Sequence, residues 1–326
     1  MKARAPGKVV LSGAYAVLRG APALVSAVTC YAEADTSRPP EFVTPEVDVA
    51  LRELGTEAVA PWFDASALRA RGAKLGLGSS AAILVASLGA LLAESPNLGG
   101  SGPDHDSPDH DSPDHDVDEW RRRVYERALR AHRLAQGGGS GIDVAAAALG
   151  GTLLARRVTP EQTGVTQALQ LEPVTLPADL CVELWAMGHP ASTAHFVRAV
   201  FDLEQTHPAR FEALLEAQAS GARRAAAAAQ AGDGAGLLDG LRVQRRALDA
   251  LGRAANVPIV VDELRTLDDH VPGDAALLPA GAGGGDISIY AGPTASSAAF
   301  RRAAAGLGMW RLEADLGAPG LQSLEP

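Results

Sequence analysis

The sequence predicts an α+β fold in two units, and three observations lead there. After residue 176, apolar strand-like runs and helical stretches follow in the order strand, helix, helix, strand, helix, strand, the pattern of helices laid on a sheet. Three glycine-rich segments, at 5–13, 74–82 and 279–286, each adjoin an apolar strand or helix. At 326 residues the chain is long enough for two cores, with units expected at 1–175 and 176–326.

In the first segment, APGKVVLSG, a Pro-Gly turn feeds the strand Val9-Val10-Leu11, and a returning strand is expected over 23–28. Lys8 stands at the mouth of this hairpin-like unit, either as an exposed turn residue or as a cation aimed at a phosphate. Pro39, Pro40, Pro45 and Pro61 mark connections around a short element over 47–54.

The second segment is the centre of the chain. Gly76 and Gly78 let the backbone turn tightly and approach a ligand. Ser79 and Ser80 stand where a helix begins, with hydroxyls suited to an N-cap. Ile83, Leu84, Leu88, Leu91 and Leu92 give the following turns an apolar stripe. Such a loop presents free amide N–H groups and a positive dipole end, for which the natural guest is a phosphate. Taken alone, the heptapeptide fits a plain helix cap equally well.

Residues 101–116 repeat Pro-Asp-His-Asp three times, with six Asp and three His. A proline every five residues, dense negative charge and no apolar anchor predict a disordered acidic insertion rather than a metal site. A helix is expected over 120–135, with Val124, Ala128, Leu129 and His132 on one face, stopping at Gly137-Gly138-Gly139. Asp143 then falls at the start of a small-residue helix, facing a cleft or acting as a helix-end cap worth ~1 kcal/mol. A strand follows over 152–156.

In the second unit a strand at 180–187 leads into the loop 188–193 and a helix to about 204. Long helices are expected over 210–231 and 235–255, then an apolar segment at 257–261 and a short helix at 262–269. The third glycine segment precedes a strand at 287–291, and a helix over 294–306 and a strand over 309–313 close the pattern.

Composition narrows the function classes. Of the net charge of −10, residues 101–119 supply −8, with seven Asp, one Glu and no Lys or Arg. The remaining −2 is no footprint for nucleic acid or an anionic membrane. No apolar run is long enough to span a bilayer, and Met1-Lys2-Ala3-Arg4 leads into Pro6-Gly7 without a secretory apolar region. Cys30 and Cys181 are too few for a disulfide framework or a zinc site, so a cytoplasmic protein is expected. Only three lysines stand against 26 arginines, and Lys8 and Lys74 both fall at glycine segments.

Three such segments in this order resemble the motifs of the GHMP kinases, the superfamily of galactokinase, homoserine kinase, mevalonate kinase and phosphomevalonate kinase. APGKVVLSG is similar to its first motif, KLGLGSSAA at 74–82 to its second and PAGAGGGD at 279–286 to its third. Within the superfamily, SGAYAVL at 12–18, AHRLAQGGGSGIDVAAAALGG at 131–151 and GHPAST at 188–193 resemble the phosphomevalonate kinase branch. His132 falls about where mevalonate kinases place a magnesium-binding glutamate. Ala14 stands where the first motif usually has glutamate.

The resemblance implies an N-terminal nucleotide-binding domain and a C-terminal ferredoxin-like α/β sandwich. It implies ATP and Mg²⁺ as cofactors and a small phosphorylated substrate, handled by a monomer or homodimer. Lys74, Gly76, Leu77, Gly78, Ser79, Ser80 and Ala81 would bind ATP, and Ser80, or else Ser79, would give an oxygen to Mg²⁺. Lys8 and Asp143 would be catalytic. The acceptor would meet Lys8, Ser140, Gly141, Asp143, Ala282, Gly283 and Gly284. Ser192 and Thr193 would hold its phosphate or carboxylate, or cap the turn. Other GHMP kinases, a related decarboxylase and a catalytically silent binding homologue are the alternatives.

Overall fold

The computed structural model describes residues 1–55, 58–95, 113–158, 169–188 and 193–324. Two antiparallel sheets carry it. The first contains β1 (Lys2–Ser12), β2 (Ala23–Asp35), β3 (Trp62–Asp64), β6 (Thr152–Arg157), β7 (Leu169–Pro173) and β12 (Gln322–Leu324), in the order β12-β1-β2-β6-β7 with β3 also on β2. A two-stranded ribbon, β4 (Arg69–Ala70) and β5 (Ala73–Lys74), stands apart. Helices α1 (Pro45–Leu54), α2 (Ser79–Glu94), α3 (Pro113–Gln136) and α4 (Ile142–Leu149) accompany this sheet.

The second sheet runs β11 (Trp310–Arg311), β8 (Cys181–Ala186), β10 (Ile287–Gly292), β9 (Ala276–Pro279). Between β8 and β9 the chain makes α5 (Thr193–Thr206), α6 (Pro208–Ala231), α7 (Gly234–Ala255) and α8 (Asp262–Leu267), and α9 (Ala298–Gly306) links β10 to β11. Strand order and connection match a ferredoxin-like unit with extra helices in its first crossover.

Strand alternation explains which residue reaches the cleft. Val9 and Leu11 of β1 join the cluster containing α2, while Val10 packs with Val25, Leu153 and Ile142 on the α4 side. Lys8 has the parity of Val10 and points toward α4. Helix α2 is apolar around its whole girth, and Ala81 through Leu92 are all buried. A helix of that kind is stable only when covered on every side. The sheet, α1, α3 and the C-terminal segment cover it, and a Cβ added at Gly89 would stand 2.6 Å from Leu321 Cδ1.

The two sheets share one core. Leu184, Ala186, Leu278 and Ile289 from the second sheet lie in the same cluster as α2, through Ala225, Leu237 and Leu241 of the paired helices α6 and α7. The opposite face of the second sheet, with Trp185, Leu277 and Tyr290, packs against Phe211, Leu248 and Phe300.

Several expectations change. The returning strand is far longer than 23–28, since β2 continues pairing with β1 to Asp35 across a bulge. Helix α3 starts at Pro113, inside the stretch expected to be disordered, because a proline at the first helical position sacrifices no hydrogen bond. Residues 101–112 lie outside the described residues. Residues 257–261 form a connection whose Ile259 carbonyl accepts from Gly284. The last strand, β12, pairs with β1, so residues near 322 return to the first sheet, which a boundary near 175 does not anticipate.

The first motif is held by buried glutamines. Gly13, at φ 87°, donates its amide to Gln244 Oε1 at 2.8 Å, and Gln244 Nε2 donates to Ser12 Oγ at 2.9 Å. Gln218 Nε2 donates to the Ala14 carbonyl at 3.2 Å. Gln244→Leu keeps the volume but strands these partners in the core. It should lower unfolding free energy by about 1–3 kcal/mol in urea titrations; a change below about 0.5 kcal/mol, the range of ordinary surface substitutions, would show the tie to be dispensable.

Candidate active site

The site grows from the glycine loop before α2. Gly76 and Gly78 adopt φ 70° and 75°, in the left-handed region. A Cβ at Gly76 would stand 2.6 Å from Asp286 Cβ, and one at Gly78 2.9 Å from Lys8 Cε. The first and third segments therefore close directly on the second. Gly78, not a serine, is the N-cap of α2, and neither serine caps it. Ser80 instead donates its hydroxyl to Glu46 Oε1 of α1 at 2.7 Å. Without a side-chain cap, the first-turn N–H groups are left to an anion.

Lys8 joins the loop to the cleft. Its amide donates to the Leu77 carbonyl at 2.8 Å and its Nζ to the Gly76 carbonyl at 3.4 Å. Burial pushes its pKa down, against the charges of Asp143 and Asp286, and the net direction is downward. On α4, Asp143 accepts the Val144 amide at 3.0 Å and lies 3.4 Å from His132 Nε2. Burial alone would raise its pKa. His132, through hydrogen bond and charge, together with Lys8 and the Val144 amide, outweighs burial and holds it at about 2. His132 is 3% exposed; burial disfavours its charge, but Asp143 and then Glu46 prevail and raise its pKa.

A cavity of about 430 Å³ opens in front of these groups. Lys8, Ser140, Gly141, Asp143 and Ala282 line it, as expected for acceptor contacts. Gly283 instead lines a small neighbouring cavity with Lys8, Gly76 and Asp286. The Gly283 amide donates to Ala280 and that of Gly284 to Ile259, so the third loop spends these donors on itself. Gly284 lines neither cavity. A Cβ at Gly283 would meet the Ile259 carbonyl at 2.2 Å, so glycine there serves backbone packing.

Among the ATP-binding candidates, Gly76, Leu77, Gly78, Ser79 and Ser80 form the loop and first turn. Ala81, 1% exposed, lies beneath them in the core. Lys74 stands exposed on the β4–β5 ribbon opposite Arg69 and lines neither cavity. Ser192 lies outside the described residues; Thr193 begins α5, and Ala194, Val197 and Arg198 of that helix line the large cavity.

No protein-family model matches the chain. Phosphomevalonate kinase of Streptomyces sp. strain CL190 is 28% identical over 239 residues, covering 69% of this chain and 59% of that protein. The match therefore spans less than two thirds of its relative. A Lin0012 protein from Listeria innocua matches in structure with TM-score 0.80 at 22% identity, over 100% of both chains. Phosphomevalonate kinase of Streptococcus pneumoniae, in complex with phosphomevalonate and AMPPNP, matches with TM-score 0.73 at 20% identity, over 97% of this chain and 99% of that one.

The fold is that of the GHMP kinases.

Within this GHMP fold, four cavity or loop residues escaped sequence reasoning. Tyr15, at φ 62°, donates its hydroxyl to the Ala282 carbonyl at 2.6 Å and ties the first motif to the third. Glu46 and Gln136 meet at Ser80, and Arg198 faces the cavity from α5. Tyr15 had a signal, its place in SGAYAVL, and so did Gln136 in AHRLAQGGG; Glu46 and Arg198 reach the site only through tertiary packing.

The His132–Asp143 pair has two opposite pH dependences. Asp143 titrates below its unfolded value of about 3.9, so its stabilising share is present above that pH and is lost as pH falls through about 2. His132 titrates above its unfolded value of about 6.5, so its share is present below that pH and is lost as pH rises through the folded value. Urea unfolding from pH 5 to 9 should show wild type losing stability with rising pH relative to His132→Gln. Parallel curves for the two proteins would refute the pairing.

Proposed function

We propose that this chain is an ATP-dependent phosphotransferase that moves the γ-phosphoryl group of ATP to 5-phosphomevalonate, releasing 5-diphosphomevalonate and ADP. One observation carries the reading: Lys8 touches the glycine loop at Gly76 and Gly78 and shares a cavity with Asp143. A cation there lies between a triphosphate at the head of α2 and an acceptor in the cavity, where charge develops during transfer.

Support for a phosphorylated acceptor comes from the charge of the cavity. Lys8, His132 and Arg198 line it against one carboxylate, Asp143, among the described residues. Arg198 has no carboxylate partner among the described residues, and its planar fork suits a phosphate. The 28% match to a Streptomyces phosphomevalonate kinase points the same way.

The roles follow from ionisation. A phosphate monoester has a second pKa near ~6, so the acceptor arrives largely as a dianion at pH 7 and needs no base. Its oxygen forms a bond to the γ-phosphorus while the bond to the β–γ bridging oxygen breaks, and ADP leaves with that electron pair. Asp143, titrating at about 2, remains a carboxylate that orients Lys8 and His132. Mg²⁺, when bound, supplies neutralisation of phosphate charge; the oxygen chemistry of Ser80, beside the loop, fits it.

ADP release should be observed with 5-phosphomevalonate and not with mevalonate, homoserine or galactose. Lys8→Met and Ser80→Ala should each lower kcat by about 10²–10³-fold with melting temperature unchanged. Turnover of an unphosphorylated alcohol alone would remove the proposed acceptor, and no ADP release with any of them would remove the kinase reading. Asp143→Asn should lower kcat with phosphomevalonate without flattening the pH–rate profile, because no general base is lost. An acidic limb in wild type that vanishes in the variant would instead make Asp143 the base.

A further inference from the structure

The third glycine segment brings a carboxylate to a loop that otherwise offers amides. Asp286 ends that segment, immediately before β10, and its carbonyl accepts the Met187 amide at 3.0 Å, which fixes it to the second sheet. Its side chain lies on the glycine loop: a Cβ at Gly76 would stand 2.6 Å from Asp286 Cβ and 2.7 Å from its Oδ2. Lys8 Nζ reaches the same residue, at the Gly76 carbonyl. A small cavity of about 30 Å³ has Lys8, Gly76 and Asp286 in its wall.

The Gly283 and Gly284 amides are taken by Ala280 and Ile259, so what the segment brings to this place is one negative charge. At the positive end of α2 a carboxylate is favourable by itself, yet it competes with the phosphates such a loop attracts. Serving Lys8 gives it a reason to be there. Around Lys8, α4 presents Asp143 with His132 of α3 behind it, the third segment presents Asp286, and Arg198 of α5 shares the large cavity. The glycine loop contributes only backbone carbonyls, at Gly76 and Leu77. Resting on the kinase reading above, we infer that Asp286 is a positioning residue for the transfer. It holds the Lys8 side chain over the glycine loop, while Asp143 draws it toward the acceptor cavity. One carboxylate sits at the head of β10 and the other on α4 beside the first sheet, so Lys8 is tied to both sheets.

The test uses the scarcity of lysine. Lys2, Lys8 and Lys74 are the only three in the chain, so lysine labelled with ¹³C at Cε gives three NMR signals, and Lys8→Met identifies that of Lys8. Asp286→Asn keeps the shape and removes the charge. In a pH titration of the full chain it should lower the measured Lys8 pKa by about one pH unit, with Lys2 unmoved, because a charge that favours the ammonium is gone. In turnover with ATP and 5-phosphomevalonate, kcat should fall by about 10–100-fold with KM little changed. The alkaline limb of the pH–rate profile should move to lower pH by the same amount as the Lys8 titration. An unchanged Lys8 pKa in the folded variant overturns the inference, even if melting temperature or activity falls, since the carboxylate would then be purely structural. Wild type that turns over no acceptor removes the kinase reading and the role in transfer with it, while the titration still decides whether Asp286 holds the lysine. If circular dichroism shows Asp286→Asn to be unfolded, Asp286→Ser serves instead: it also removes the charge, the same fall is expected, and an unchanged Lys8 pKa overturns the inference.

Discussion

The close approach of Lys8 to Gly78 is the constraint on which the site depends. The lysine stem lies where any side chain at 78 would stand, so the second motif must give up its Cβ for the first motif to reach across it. The same exchange recurs at Gly76, which makes room for Asp286 of the third segment. Three loops far apart in sequence thus interlock through missing side chains. The half-buried Lys8 comes under the charges of two carboxylates, Asp143 and Asp286, as a result. Arginine, with its planar fork, could not thread this gap in the same way, which gives a reason for a lysine in so arginine-rich a chain.

What could be read in advance was what is local. Glycine loops declare themselves because a positive φ is a property of one residue, and Gly76, Gly78 and Gly283 all adopt it. The helices were legible from periodicity, and Asp143 from its place in a glycine-serine-glycine lead into alanines. What could not be read is what the fold carries in from elsewhere. Glu46 sits 34 residues before Ser80 on another helix, and nothing in its own neighbourhood marks it. Arg198 reaches the cavity only because α5 crosses in front of it. The serine pair was misread in a simpler way, since the left-handed glycine had already ended the loop and freed Ser80 for a tertiary partner.

Stability and chemistry are joined through polar burial. The first motif is anchored by Gln218 and Gln244 from α6 and α7, residues with no reason to contact a ligand. Close packing of those helices places them: a Cβ at Gly240 would stand 2.6 Å from the Ala225 amide nitrogen, and one at Gly221 2.7 Å from Gln244 Cγ. Small residues in the alanine-rich helices therefore set the depth at which the glutamines enter, and so the position of the turn after Lys8. A substitution on the far side of the second unit has a direct route to Lys8.

The pairing of β12 with β1 has a consequence for how the molecule is assembled. Lys2, Ala3 and Arg4 are bonded across the sheet to Leu324, Ser323 and Gln322, a separation close to the length of the chain. Loop closure over such a distance is entropically late, and contacts of this range slow folding. The strand that bears Lys8 would then acquire its outer neighbour late, after the more local contacts of the intervening helices and strands. Until β12 pairs, β1 presents an open edge of the kind that invites edge-to-edge association. Chaperone demand and yield on overexpression would then be governed by the last few residues of the sheet rather than by the glycine loop.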